Sequence, residues 1–275
     1  PQGSRSSRGK PIINLVDLED GEKINAILPV KSFDETRYIF MATSLGTVKK
    51  TPLSDFSRPR SNGIIAIGLN EGDFLIGVAL TEGKHDVMLF SDNGKAMRFD
   101  ENDVRPMGRV ARGVRGMKLK PGNKVISMLV ADGEELAVLT ATENGYGKRT
   151  PATEYKVQGR SGQGIITIKV SDRNGPVVGV LPVRDDDQLM VVTSNGKVIR
   201  TKVAGISVMG RNTQGVRIIR TSTDDERVVA LERLVDPDDE DDESIDDAEN
   251  GVAATDADAT DGAKADDGEN DAAAT

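Results

Sequence analysis

The residues best placed to do chemistry in this sequence are cations that keep step with glycines. Lys50, Arg98, Arg149 and Arg200 each stand four positions after a glycine (Gly46, Gly94, Gly145 and Gly196), and Lys49 and Lys148 precede two of these cations. Arg5, Arg109, Arg160 and Arg211 each stand four positions before a second glycine (Gly9, Gly113, Gly164 and Gly215). The unit led by Gly63 departs from this, with Pro59 at that position and Arg58 and Arg60 on either side; Arg8 and Arg112 directly precede two of the leading glycines. One cation per unit in one register predicts a stripe of positive charge along one rim. Such a stripe can neutralise successive phosphates of a nucleic-acid backbone, with glycines allowing close approach. Phosphate contacts position a protein without reading bases, so sequence preference should be low. A solvated surface is the plainer reading, but randomly placed charge would not keep register. With 3% aromatic residues, stacking on single strands is the weaker candidate, which favours double-stranded DNA.

Catalytic chemistry has little to work with. There is no Cys and one His, His85, so a thiolate centre, a multi-histidine metal site and a Ser-His-Asp arrangement are all disfavoured. GYGKRT lacks the spacing and final hydroxyl of a phosphate loop, and GRSGQG falls between strands, not ahead of a helix. Asp185, Asp186 and Asp187 read as a solvated turn, and His85 as a surface-loop residue. Tyr38 reads as packing, whereas Tyr146 and Tyr155 are candidate phosphate contacts. No cofactor, metal or catalytic residue is expected.

The elements that must position the cations form a repeat. The glycines leading GKPIINLV, GIIAIGLN, GVRGMKLK, GIITIKVS and GVRIIRTS recur at intervals of 54, 50, 51 and 51 residues. Those within TSLGTVKKT, SDNGKAMRF, TENGYGKRT and TSNGKVIRT recur at 48, 51 and 51. Two ladders of one period predict stacked or radial units. Each unit reads as four short strands: one after the leading glycine, one after a polar turn, and a hairpin with Asn-Gly supplying positive φ at its tip. This predicts an all-β fold of propeller-type blades. There are five leading segments but four hairpins, so residues 1–30 read as a partial first unit whose preceding hairpin lies upstream of Pro1.

The 275 residues carry a net charge of −9, split between a basic body over 1–235 (+7) and an acidic stretch over 236–275 (−16). Four repeats of about 50 residues follow the partial unit in the body. The acidic stretch has too few apolar residues to offset chain entropy, and is expected to be a disordered tail that competes for whatever the body binds. No apolar run approaches the ~20 residues of a membrane span, and no signal region is evident, so a cytoplasmic protein with no membrane partner is expected.

The segments GTVKKT, NGYGKRT and MGRNTQGV, in this order and at this period, closely resemble the C-terminal domain of the DNA gyrase A protein over 1–235. The resemblance implies a β-pinwheel, a propeller-like disc whose blades exchange strands. It implies a non-catalytic module that wraps duplex DNA around a basic outer rim to direct negative supercoiling, tuned by the acidic tail. It also implies an ATP-dependent type II topoisomerase whose catalytic Tyr lies outside this chain, with the gyrase A N-terminal region and gyrase B as partners on the bacterial chromosome. The family's basic Gly-rich heptad, Q-(R/K)-R-G-G-(R/K)-G, is not found; QGRSGQG, Gln158 to Gly164, is the nearest match, keeps the glycines at five and seven, and lacks the other Gly and the two flanking cations. Two other readings stand beside this one: the related topoisomerase IV domain that selects DNA crossings, and a propeller-type protein-interaction scaffold.

Overall fold

A computed structural model describes residues 18, 22–60, 63–131, 136–221, 223 and 225–234. The expected acidic tail, Arg5, Arg8 and most of the partial first unit lie outside them. In chain order the strands are β1 (Tyr38–Thr43), β2 (Thr47–Pro52), β3 (Leu75–Thr81), β4 (Asp86–Ser91), β5 (Lys95–Asp100), β6 (Val114–Arg115), β7 (Val125–Ala131), β8 (Ala137–Thr142), β9 (Tyr146–Pro151), β10 (Ile165–Ile166), β11 (Val177–Val183), β12 (Gln188–Thr193), β13 (Val198–Lys202), β14 (Val216–Arg217) and β15 (Val228–Leu234). Short 3-10 turns follow the hairpins, and the described residues contain no longer helix.

The strands make four antiparallel sheets in the orders β3-β1-β2-β6, β10-β5-β4-β7, β11-β8-β9-β14 and β13-β12-β15. Each is a hairpin with a long inner strand on one side, and the inner strands β3, β7, β11 and β15 pack on one another in succession. Three sheets gain a two-residue outer strand from the following unit: Val114 pairs with Val48, Ile165 with Ala96, and Val216 with Gly147. The blades therefore exchange strands, and the segment after Gly113, Gly164 or Gly215 is not the first strand of its own blade. It belongs to the outer edge of the blade before. The segment after Gly63 forms no strand among the described residues.

The leading glycines make this exchange possible. Gly164 has φ +71°, and a Cβ there would collide with the Ala96 carbonyl on the strand it crosses. The hairpin tips correct one sequence expectation. Gly46, Gly94, Gly145 and Gly196 have positive φ, but Asn93, Asn144 and Asn195 do not. Each tip is a turn closed from the Gly N–H to the residue three before it, as from Gly94 to the Ser91 carbonyl at 3.0 Å. One αL residue ends the loop, so the position before it tolerates Leu45 as well as Asn.

Hydrophobic alternation fills the spaces between blades. On β4, Val87 and Leu89 join Phe40, Val48, Met97 and Phe99 in the core between the first two sheets. Met88 and Phe90 point the other way, to Val138, Tyr155, Ile168 and Val180 in the core between the second and third. A third core joins Leu139 and Val183 to Leu189, Val191, Val203 and Ile206. Strands buried on both faces need a continuous apolar run, which VMLF supplies. Each fully buried side chain of this size contributes about 1.5–3 kcal/mol.

Candidate nucleic-acid interface

Three of the four cations four positions after the hairpin glycines do not line a rim. Lys50 is 2% exposed, and its ammonium meets Glu101 at 3.1 Å, Asn102 Oδ1 at 3.0 Å and the Tyr38 ring at 4.6 Å from its centroid. Arg98 pairs with Asp86 at 2.7 Å and donates to the carbonyls of Ala152 and Tyr155 at 3.1 and 3.2 Å. Arg149 is 5% exposed, donating to the Ile206 carbonyl at 2.7 Å and pairing with Asp185. Each cation thus reaches the 3-10 turn of the next blade, at Glu101–Asp103, Ala152–Glu154 and Val203–Gly205 in turn. These are struts between blades. Arg200 sits in the last described blade, is exposed, and among the described residues bonds Gln188 of its own hairpin.

Lys49 and Lys148 are fully buried. Lys148 Nζ donates to the carbonyls of Gly210 and Arg211 at 2.5 and 2.7 Å; Lys49 Nζ donates to Ala66 at 2.6 Å and to the matching carbonyl of Arg109. In the second blade Met97 takes this register and packs where a Gly162 Cβ would fall. Burial pushes both lysines down from 10.5 to about 8; a neighbouring arginine adds to this, while Asp55 or Glu154 opposes it. Placing Lys49, Lys50, Lys148 and Arg149 on a DNA-facing stripe is therefore corrected. Main-chain carbonyls and carboxylates occupy their donors, and charge buried this deeply must be paired to persist.

The arginines four before the leading glycines join one crossing loop to the next. Arg109 donates to the Ile65 carbonyl at 3.3 Å, Arg160 to Arg115 at 3.0 Å, and Arg211 to Ile166 at 3.0 Å. Each acceptor is the second residue after the preceding leading glycine. Main-chain bonds run in parallel: Gly68 N–H to Ala111, Lys118 to Gly162, and Lys169 to Thr213, at 3.2, 2.8 and 2.8 Å. A belt of hydrogen bonds thus links successive loops beside the outer strands. The QGRSGQG loop is one part of it, with Ser161 held at φ 76° and its N–H 2.6 Å from the Gly116 carbonyl.

The exposed charge on this belt lies in a different register from the one read in the sequence. Arg58, Arg60 and Arg112 are exposed, as expected. So are Arg115 and Arg217 on the outer strands, and Lys118, Lys169 and Arg220, each the fifth residue after its leading glycine. The signal was present in GVRGMKLK, GIITIKVS and GVRIIRTS, where buried Met117, Ile168 and Ile219 precede these cations. Tyr155 is 1% exposed, and its hydroxyl lies 2.6 Å from that of Thr167, so it is a core residue and not a phosphate contact. Asp187 is also buried, accepting from the Arg184 N–H at 2.6 Å, unlike its exposed neighbours Asp185 and Asp186. His85 is only partly exposed; its ring nitrogen is 3.2 Å from Glu101. Burial opposes ionisation of Glu101, but the nearby Thr81 hydroxyl, a hydrogen bond from the His85 N–H and the Lys50 ammonium hold its carboxyl below the usual range. Among the described residues no group of three or more His, Cys, Asp or Glu could hold a metal ion.

A family model described as DNA gyrase C-terminal domain, beta-propeller, matches residues 1–31, 37–82, 85–132, 137–184 and 187–234. The chain belongs to this family. The five matched stretches follow the repeat read from the glycines. The DNA gyrase A protein of Salmonella typhimurium is 55% identical over 258 residues, which cover 94% of this chain and 29% of that protein. Its Escherichia coli counterpart is 53% identical over 242 residues, covering 88% and 27%. The chain thus spans about three-tenths of the length of these relatives. A solved DNA gyrase A C-terminal domain superposes with TM-score 0.73 at 28% identity, over 83% of this chain and 76% of that one. A solved C-terminal domain of DNA topoisomerase IV gives 0.77 at 26% identity, over 82% and 70%. As a gyrase C-terminal domain, the chain has a β-pinwheel fold. No described helix is long and apolar enough to cross a membrane.

Proposed function

We propose that this gyrase domain binds duplex DNA along its outer belt and bends it, with Arg58, Arg60, Arg112, Arg115, Lys118, Lys169, Arg200, Arg217 and Arg220 as phosphate contacts. The observation carrying this reading is the recurrence of an exposed cation at Lys118, Lys169 and Arg220, each three residues beyond the outer strand of one of three successive blades. Arg5 and Arg8 belong to the same sequence ladder and extend the proposed set. Arg109, Arg160 and Arg211 join it through the guanidinium donors their carbonyl bonds leave over.

Bending duplex DNA costs a few kcal/mol, roughly, and many weak contacts offset it. In the full enzyme the wrap presents a DNA segment to the cleavage core formed with the gyrase A N-terminal region and gyrase B, which directs ATP-dependent negative supercoiling on the bacterial chromosome in the cytoplasm. The catalytic Tyr and the ATP site lie outside this chain. Residues 236–275 act as an internal competitor for the belt, strongest at low salt where screening is least. The fit to the topoisomerase IV domain supports a second reading, in which the same belt contacts DNA crossings without wrapping.

Linking number separates the two. Relaxed closed circular DNA is incubated with residues 1–275 or 1–235, treated with a type I topoisomerase, and freed of protein. Wrapping predicts a topoisomer shift that scales with protein, larger for 1–235. Binding by gel retardation with no shift favours the crossing-recognition reading. A chain with Lys118, Lys169 and Arg220 all changed to Gln should retain its fold and lose about 3 in the log–log salt slope of binding. An unchanged slope removes these residues from the interface.

A further inference from the structure

We propose that Arg173 and Arg217, gathered around Tyr146, form a paired-guanidinium clamp for one backbone phosphate of duplex DNA. This rests on the DNA-binding reading above and assigns it a specific contact. Arg217 Nη2 donates to the Tyr146 hydroxyl at 2.7 Å, and Arg173 Nε donates to the same oxygen at 3.4 Å. Their guanidinium carbons lie 5.1 and 4.9 Å from the centroid of the ring. Tyr146 is only 5% exposed, whereas both arginines are exposed. A buried phenol thus holds two like charges together at the surface. Neither arginine forms an ion pair among the described residues.

Two adjacent guanidiniums repel unless an anion lies between them. Each has five N–H donors in a fixed fork, and the hydroxyl takes one from each. The remaining donors suit two oxygens of one phosphate, the geometry in which Arg outperforms Lys. Placement agrees with this. Arg217 lies on β14 directly across from Tyr146, at the outer edge of the third sheet and in line with the belt. The two preceding blades lack the constellation. Thr47 and Lys95 take the Tyr146 position there, and, counted from the leading glycine, Gly72 and Gly122 take that of Arg173. The two arginine hydrogen bonds also hold the phenol below its ordinary pKa, as a strongly positive locus requires.

The chain has three tyrosines and no Trp, so ring-labelled tyrosines in the 275-residue protein give a local NMR readout, with Tyr146 assigned through Tyr146→Phe. The probes are a 40-base-pair duplex, inorganic phosphate and chloride at matched ionic strength. The duplex should shift Tyr146 and leave Tyr155 in place. Combined Arg173→Gln and Arg217→Gln should abolish that shift, weaken duplex binding about 10-fold at low salt and lower the log–log salt slope by ~1–2. An unmoved Tyr155 resonance in this variant shows that the fold is kept. Duplex retardation by the unaltered chain with Tyr146 unshifted overturns the clamp and leaves the DNA-binding reading standing. No retardation overturns both. A shift with inorganic phosphate but not with duplex overturns the assignment to DNA.

Discussion

Lys148 Nζ lies 2.7 Å from the carbonyl oxygen of Arg211, 63 residues further along the chain. In the sequence both look like members of one charged stripe. In the fold the lysine is a buried donor, and the arginine is the main-chain acceptor that completes it.

Truncating that lysine should therefore harm the fold directly. Lys148→Ala leaves two carbonyls without their donor and opens a cavity, and should cost about 2–4 kcal/mol in urea unfolding. Lys148→Met should cost less, because Met97 fills the matching place in the second blade. Equal losses for the two variants would count against this account.

The same lysine predicts a pH dependence with a definite sign. Folded Lys148 loses its proton near pH 8, and the unfolded chain near 10.5. Below about pH 8 both states carry the proton and the cost of burying charge is fully present. Between 8 and 10.5 the unfolded state binds more protons, so this residue's contribution to stability rises with pH. A neutral amine still donates to both carbonyls. The stability of the unaltered chain, measured relative to Lys148→Met, should increase from pH 7.5 to 10. Parallel pH curves would show that the lysine is not the source.

Arg149 and Arg200 share a sequence register but should behave oppositely. Arg149→Met removes the bond to the Ile206 carbonyl and the pair with Asp185 between two blades, and should cost about 2–4 kcal/mol. Arg200→Gln should change stability by less than about 0.5 kcal/mol, since Arg200 is exposed and among the described residues bonds Gln188 of its own hairpin. Charge reversal at Arg98, Arg149 and Arg200 together would unfold the chain before it tested DNA binding. Denaturant midpoints of the single variants check this.

Gly164→Ala and Gly63→Ala form a matched pair. Both glycines have positive φ, +71° and +77°. At Gly164 an added methyl also meets the Ala96 carbonyl, whereas at Gly63 nothing lies within 4 Å. The first should lose clearly more than the ~1 kcal/mol typical of αL strain alone, with faster amide exchange at Ile165 and Ile166. The second should lose about that amount. Hydrogen exchange and urea unfolding read both.

The blades were legible because glycine at positive φ is the residue least strained in these turns, and so the turns carry the period openly. The β-pinwheel expectation came from GTVKKT, NGYGKRT and MGRNTQGV, and the crossing of Val114 onto Val48 bears out its exchange of strands. Periodicity along one strand could not show this, because the pairing spans two units. The charged stripe misled for a related reason. On β2, four consecutive residues from Val48 to Thr51 are buried, because neighbouring loops cover both faces. Alternation would have left either Lys49 or Lys50 outside. Arg115, Lys118, Lys169 and Arg220 were overlooked because they follow the leading glycines, in segments read for their apolar residues.

The strand exchange also sets an order of events at the ribosome. Val48 must wait for Val114 before its sheet is complete, a delay of roughly 65–70 residues. At about 5–20 residues per second this is on the order of 3–14 s, far longer than a hairpin needs to form. During that interval each of the first three blades displays an unpaired outer edge, which is sealed only as the next blade emerges. Synthesis therefore proceeds as a relay, with one open edge handed along the chain.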